Sequence, residues 1–314
     1  MPLWVPESDV QASLAMSDLI EAMQQALANF SAGCVVQPVR TAIEYRPMAF
    51  FGLMPAYDPA SGLVGAKLLT VLPGNLALGL PSHQASIALF DAASGALLAV
   101  VDGRYITEAR TAAVSAVSVR HLARREARVL AILGSGVQAH SHLEALPLIC
   151  DFQEIRVWSP NEARLAKFVQ HAGPRVQAAA SAGGAVRGAD VVVLATSSST
   201  PVIDADWISP GAHVVAVGAC RPNQCEVAPK LMRSSRVIVD SREAAQVESG
   251  DVIHSHCDIH AELGEVVAGT KPGRGSAEEI TLFKSLGLGI EDVVSAGLAF
   301  RQAQAAGRGI QVPL

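Results

Sequence analysis

The chain has 314 residues, a length that suits two domains or one large one, and its formal net charge of −5 gives no support for nucleic-acid binding. Half of the residues are hydrophobic and 17% are charged, a balance that points to a sheet covered on both faces and to a buried subunit interface. The longest run without Asp, Glu, Lys or Arg, Leu68 to Phe90, is broken by Pro73, Gly74, Asn75, Pro81 and His83, so no membrane span is expected, and Glu7 and Asp9 with no basic start argue against a signal peptide.

Residues 10 to 30 read as an amphipathic helix, with Ser17-Asp18 as a second start. From Val35 to Val101 the pattern is of short strands broken by Gly and Pro, among them Val64 to Val71, Ala85 to Phe90 and Ala96 to Val101. The segment Asp91 to Gly95 is a hairpin turn signal. Thr107 to Leu122 is expected to be helical, and its Ala-rich spacing allows close packing. Strand–helix alternation follows, with strands at 129–133, 155–158, 190–195, 213–217 and 236–239, and a last long helix runs from Ile290 to Ala306. The fold class is therefore α/β. An α/β domain spans 115–287 and sits inside a second domain built from 1–114 with 288–314. No internal repeat or low-complexity segment stands out.

The run Val129 to Ala139 carries the first chemistry. Five apolar residues make a strand that can be buried on both faces. Gly134 allows a tight turn, and Gly136 lets a pyrophosphate approach the backbone. Ala139 lets the following helix pack on the strand, while Val137 and Gln138 open that helix and present N–H groups to the phosphates. A second strand ends at Trp158-Ser159-Pro160-Asn161. An NAD-preferring fold usually places Asp or Glu there for the ribose hydroxyls. With none present at Ser159, the cofactor is NADP or NAD, leaning to NADP. The cysteines at 34, 150, 220, 225 and 257 are scattered and odd in number, without a C-x-x-C, which fits thiols in a reducing cytoplasm. His254-Ser-His256-Cys257 lacks metal-ligand spacing, and no metal is expected.

Along nearly its whole length the chain resembles the ornithine cyclodeaminase/mu-crystallin family. The strings that carry the likeness include Gln37-Pro-Val-Arg40-Thr41, Gly52-Leu-Met-Pro-Ala-Tyr57, Pro81-Ser-His-Gln-Ala85, Leu98 to Val117, Val217-Gly-Ala-Cys-Arg-Pro222, Glu248-Ser-Gly-Asp-Val252 and Phe283-Lys-Ser-Leu-Gly287. The likeness is greatest to the mu-crystallin branch, which includes ketimine reductases. It implies a Rossmann NAD(P)-binding domain over 115–287, an α+β substrate-binding and dimerisation domain over 1–114 with 288–314, homodimers whose substrate domains share a barrel, and NAD or NADP chemistry at the Cα–N bond of a small amino or imino acid.

The resemblance also implies roles. Arg40 is the carboxylate clamp, because a guanidinium holds a carboxylate bidentately. Lys67, in an otherwise apolar strand, exchanges the proton with substrate nitrogen; by itself it reads equally well as a strand-edge lysine facing water. Arg110 lies beside cofactor and substrate, and Ser82 contacts the nicotinamide end. His83 is read as structural, since nothing in the sequence orients it. Thr196, Val217, Gly218, Ala219 and Ser285 lie in loops after Rossmann strands and face the cofactor. Pro160 stands where mu-crystallin has an Arg for a 2′-phosphate, and Arg164 is the nearest substitute. Cyclodeaminases carry an Asp at the position of Cys220, a substrate-binding position, and a Glu at that of Gly52. The preferred activity is reduction of a cyclic ketimine carboxylate or oxidation of an amino acid. Ornithine cyclodeamination and non-enzymatic NADPH or small-ligand binding are the alternatives.

Overall fold

The structure is a computed structural model that describes residues 1–313. β1 (Leu3–Val5), α1 (Glu7–Ser13) and α2 (Met16–Ser31) lead into β2 (Thr41–Arg46), β3 (Ala49–Asp58), β4 (Leu63–Val71), β5 (His83–Asp91) and β6 (Leu97–Asp102). α3 (Arg104–Leu122) precedes an alternating region: β7 (Val129–Leu133), α4 (Val137–Ala145), β8 (Glu154–Trp158), α5 (Glu162–His171), β9 (Val176–Ala178), α6 (Ala182–Val186), β10 (Val191–Leu194) and β11 (His213–Ala216). It continues with α7 (Pro229–Ser234), β12 (Arg236–Val239), α8 (Arg242–Glu248), α9 (Gly250–Ser255), β13 (Ile259–Glu262), α10 (Leu263–Val267) and β14 (Thr281–Lys284). α11 (Gly289–Ala305) and β15 (Ile310–Gln311) follow. The chain forms two compact units, Met1–Arg110 with the segment from Gly287 onward, and Thr111–Leu286.

The first unit is a seven-stranded sheet in the order β15-β1-β6-β5-β4-β3-β2, antiparallel except where β1 runs parallel to β6. α11 packs on β3, β4 and β5 and against α2. The buried stripe of α2, Met16, Leu19, Ile20, Met23, Ala26 and Leu27, has the spacing of one helix face. Strand alternation decides which side chains meet this core. On β4, Leu63, Gly65 and Lys67 are buried, whereas Val64 and Leu68 are exposed. The turn at Asp91–Gly95 closes as its sequence indicates: the Asp91 carboxylate accepts the Ser94 N–H at 2.7 Å, and Gly95 has φ +71°.

The second unit is an eight-stranded parallel sheet in the order β13-β12-β14-β11-β10-β7-β8-β9. The chain runs outward from β7 through β8 to β9, then returns to β10 on the other side of β7. That reversal opens a crevice beyond the carboxyl ends of β7 and β10. Val191 to Leu194 and Leu130 to Leu133 are buried throughout, as expected for strands covered on both faces.

Several sequence expectations need correction. The helix expected over 10–30 is two helices, because Leu14 and Ala15 are extended. α3 begins at Arg104 rather than Thr107, since the Asp102 carboxylate accepts the Arg104 N–H at 3.0 Å and supplies an earlier start. The strands at 41–46 and 49–58 extend a sheet whose members are long. β9, β13 and β14 went unread because they are short and carry Gln177, His260, Glu262 and Lys284 where an isolated apolar run was sought.

Two histidines are buried in the second unit. His142 bridges the Gln138 carbonyl (2.7 Å) and the Ser115 hydroxyl (2.8 Å), and His213 lies between Ser118 (3.1 Å) and Thr281 (2.9 Å). Burial pushes their pKa values down from 6.5 to about 4 and about 3. Because the unfolded chain protonates first, the stability they contribute is full above pH 6.5 and is lost as pH falls through 4. Thermal unfolding followed between pH 7 and 4 should show a steeper decline for the wild type than for the His142→Gln/His213→Gln protein.

Candidate active site

In the first unit, an ionic cluster is buried on the core face of the sheet. Lys67 is 1% exposed, and its Nζ lies 2.6 Å from Asp292 Oδ2 and 3.4 Å from Thr107 Oγ1. Arg110, near the middle of α3, donates from Nη1 to Glu291 at 2.9 Å and from Nε to Asp292 Oδ1 at 3.2 Å. Glu291 and Asp292 are both fully buried in the first turn of α11, where the helix dipole favours anions. Arg40 donates to the Gly287 carbonyl at 3.1 Å. Gly287 has φ +84°, and a Cβ there would lie 2.3 Å from Arg110 Nη1, so the guanidinium occupies space that only glycine leaves.

The electrostatics follow from this packing. Burial pushes the Lys67 ammonium down from 10.5 to about 8; Asp292 opposes that fall, and Arg110 and Arg40 add to it. Burial favours the neutral Asp292 acid, yet Lys67 and Arg110 hold its pKa below the ordinary carboxylate value. His83, on β5, falls to about 4 through burial and the nearby Lys67 and Arg110 charges. It belongs to the same electrostatic cluster, which its sequence context did not reveal. Lys67 thus faces the core rather than water, and Arg110 is not a solvated helix position. Ser82 lies just before β5, where its carbonyl accepts the Leu72 N–H at 2.7 Å.

In the second unit, the remaining candidates follow strand carboxyl ends. Gly134 follows β7 with φ +122°, and a Cβ there would meet the Ala195 carbonyl at 2.4 Å. Gly136 N-caps α4 without a side-chain cap, and a Cβ on it would find no protein atom within 4 Å. The uncapped N–H groups of Val137 and Gln138 therefore open onto space that admits a phosphate, and the buried Gln138 Oε1 has no protein partner. This arrangement fits a dinucleotide. Ser159 follows β8 and is buried. Among the described residues, no three His, Cys, Asp or Glu side chains converge as a metal set.

The other loops are held from beneath by residues that sequence reasoning did not select. Glu226 is fully buried and accepts the Thr196 N–H (2.7 Å) and hydroxyl (2.8 Å) on one oxygen. Its other oxygen accepts the N–H groups of Gly218 (2.7 Å) and Ala219 (2.8 Å). Those N–H groups are therefore committed to the protein. Asp251 accepts the N–H groups of Glu226 and Val227 and pairs with the buried Lys284 at 3.0 Å. Lys284 also donates to the Ala219 carbonyl at 2.5 Å. Ser285 donates to Asp240 at 3.3 Å, and the Cys220 thiol lies 3.3 Å from the Val217 carbonyl.

Residues 4–307 match the ornithine cyclodeaminase/mu-crystallin family. The chain belongs to this family. It is 45% identical to the ketimine reductase mu-crystallin of Mus musculus over 304 residues, covering 95% of this chain and 96% of that protein. The structure of Thermococcus litoralis Delta(1)-pyrroline-2-carboxylate reductase in complex with NADH and L-proline matches with a TM-score of 0.96 at 36% identity, covering 99% of this chain and 100% of that one. An archaeal alanine dehydrogenase dimer with bound NAD matches with a TM-score of 0.95 at 31% identity, over 100% of this chain and 99% of that one. The resemblance and the α/β fold class expected from sequence both hold.

Gly52 lies on the buried side of β3, and a Cβ there would touch Leu69 side-chain atoms at 3.1–3.4 Å. Asp292 is the acid beside Lys67, and it and Glu291 are both already paired with basic groups. Their only sequence signal was a pair of acids at the start of an apolar helix, which reads as ordinary dipole complementation.

Removing Asp251 would strand Lys284 as a buried charge. Asp251→Ala should cost about 3–5 kcal/mol of stability, as for other broken buried pairs, and chemical denaturation would measure it.

Proposed function

We propose that this protein reduces a small cyclic ketimine carboxylate, or oxidises the corresponding amino acid, with NADPH as the preferred donor. It is a nicotinamide-dependent oxidoreductase. The observation that carries the substrate reading is the buried Lys67 ammonium, set in an apolar sheet with Arg40 and Arg110 acting on it. A bound nicotinamide supplies the hydride to the imine carbon. The chain's own residues manage charge and proton. Arg40 offers a guanidinium to the substrate carboxylate, while Arg110, braced by Glu291 and Asp292, holds a second positive charge in place. Lys67 donates a proton to the imine nitrogen. Its pKa of about 8 leaves it charged at neutral pH and able to part with the proton. The apolar strand around it excludes water.

Cyclodeamination of ornithine is disfavoured. Cys220 cannot hold an ammonium as a carboxylate does, Gly52 places no acid on β3, and Asp292 and Glu291 are paired. The NADP preference rests on the second strand, where Ser159 and Pro160 place no acid, and on the exposed Arg164 in the following helix.

A homodimer is supported by the outer face of the first unit's sheet. Phe51, Val64 and Leu68 are exposed there, beside the partly buried Leu53, Tyr57 and Phe90. That the alanine dehydrogenase relative is a dimer agrees with this reading. Cytoplasmic residence is supported by five cysteines without a disulfide among the described residues. No described helix is long and apolar enough to cross a membrane.

A panel of cyclic imine carboxylates, ornithine, lysine, alanine and proline, assayed with both cofactors, tests the reading. Ketimine-dependent loss of absorbance at 340 nm is expected, with little ammonia released from ornithine; brisk conversion of ornithine to proline would overturn it. Lys67→Ala should lower ketimine turnover about 100- to 10,000-fold, the range for losing a general acid, with cofactor affinity little changed. Ser159→Asp should weaken NADPH binding by charge repulsion, read by fluorescence titration against NADH.

A further inference from the structure

We propose that Asp292 is the positioning residue for proton transfer: with Thr107 it holds the Lys67 ammonium so that one N–H remains directed at the substrate nitrogen. This inference rests on the ketimine-reduction reading.

An ammonium carries three N–H donors in a fixed tetrahedral array. Lys67 donates one to Thr107 Oγ1 at 3.4 Å, and its Nζ lies in an ion pair 2.6 Å from Asp292 Oδ2. The Thr107 hydroxyl spends its own hydrogen on the Gly103 carbonyl at 2.8 Å. Its oxygen therefore meets Lys67 only as an acceptor. The Asp292 ion pair and the Thr107 hydrogen bond together hold the ammonium, and no further protein partner of Nζ stands among the described residues.

Asp292 cannot follow Lys67 freely. Its other oxygen accepts Arg110 Nε at 3.2 Å, and Glu291 fixes the same guanidinium at 2.9 Å. One carboxylate thus spaces the ammonium from the guanidinium. In the reductive direction an Nζ–H bond breaks and a bond from that proton to the imine nitrogen forms. The electron pair stays on Nζ, and the hydride reaching the carbon comes from the nicotinamide of the established reaction class. Lys67 is then a neutral amine, and solvent returns its proton.

The charged and titratable groups around Lys67 come from several elements. They are Asp292 and, through Arg110, Glu291 on α11; Arg110 on α3; Arg40 before β2; and His83 on β5. His83, with its pKa near 4, is neutral in the working range. Arg110 and Arg40 disfavour the charged lysine, and Asp292 favours it. Replacing Asp292 by a neutral isostere removes the opposing anion, so Lys67 should lose its proton at lower pH.

The test uses holoenzyme with Δ1-pyrroline-2-carboxylate as the substrate and reads two quantities. The first is the pH dependence of kcat; the second is titration of the Lys67 Nζ resonance in 15N-lysine-labelled protein without substrate. For Asp292→Asn, kcat should fall about tenfold or more and the high-pH limb should move about one unit lower, with cofactor affinity unchanged. Thr107→Val should shift both readouts the same way, and Thr107→Ser, which keeps the acceptor, should restore them. A folded Asp292→Asn protein with an unmoved limb and Nζ titration overturns the proposal. If Asp292→Asn does not fold, the Thr107 pair decides, and a Thr107→Val protein matching wild type in both readouts overturns it. If wild type turns over no ketimine, the functional reading fails, while the Nζ titrations still decide whether Asp292 and Thr107 govern Lys67.

Discussion

An ammonium withdrawn from water is costly unless an anion meets it, and the first unit of this protein is organised around that constraint. Lys67 sits 1% exposed in the middle of a β-sheet, and the helix that covers the sheet begins with the two carboxylates it and Arg110 require. The same helix buries Ile290, Val293, Ala296 and Ala299, so its apolar packing fixes where the carboxylates stand. Fold and charge placement are therefore one design. Gly287 completes it by leaving room for the guanidinium.

The second unit solves a related problem with its backbone. Loops beyond parallel strands leave N–H groups unpaired, and a ligand can use only some of them. At α4 the first-turn donors stay open, as an anion site requires. At the loops after β10 and β11, Glu226 takes the donors instead, and burial raises its pKa. Burial works against a charged Lys284, but Asp251, Cys220 and Glu226 raise its pKa above the ordinary lysine value. Internal carboxylates here take up loop donors of the kind that stay open at α4.

Gly134, Gly136 and Ala139 were legible because turn geometry, close approach and helix packing each demand a residue without bulk. Lys67 was legible only as a choice between core and water. Residues 63–71 are apolar on both faces, so the two-residue period that would orient it is hidden. The exposed outer face, with Val64 and Leu68, explains why both faces carry apolar side chains.

By itself the sequence determined the α/β class, the glycine turn after β7 and the family, and it singled out Arg40, Lys67 and Arg110 as candidates. Each is written in local spacing or in strings long enough to be specific. Only the tertiary structure decided which acids serve those bases. Lys67 and Asp292 are far apart in the chain, as are Lys284 and Asp251, or Glu226 and the Thr196 N–H group. Ion pairing depends on distance in space and on exclusion of water, and neither has a local signature. A carboxylate at a helix start looks the same in sequence whether it caps the helix in solvent or neutralises a buried ammonium.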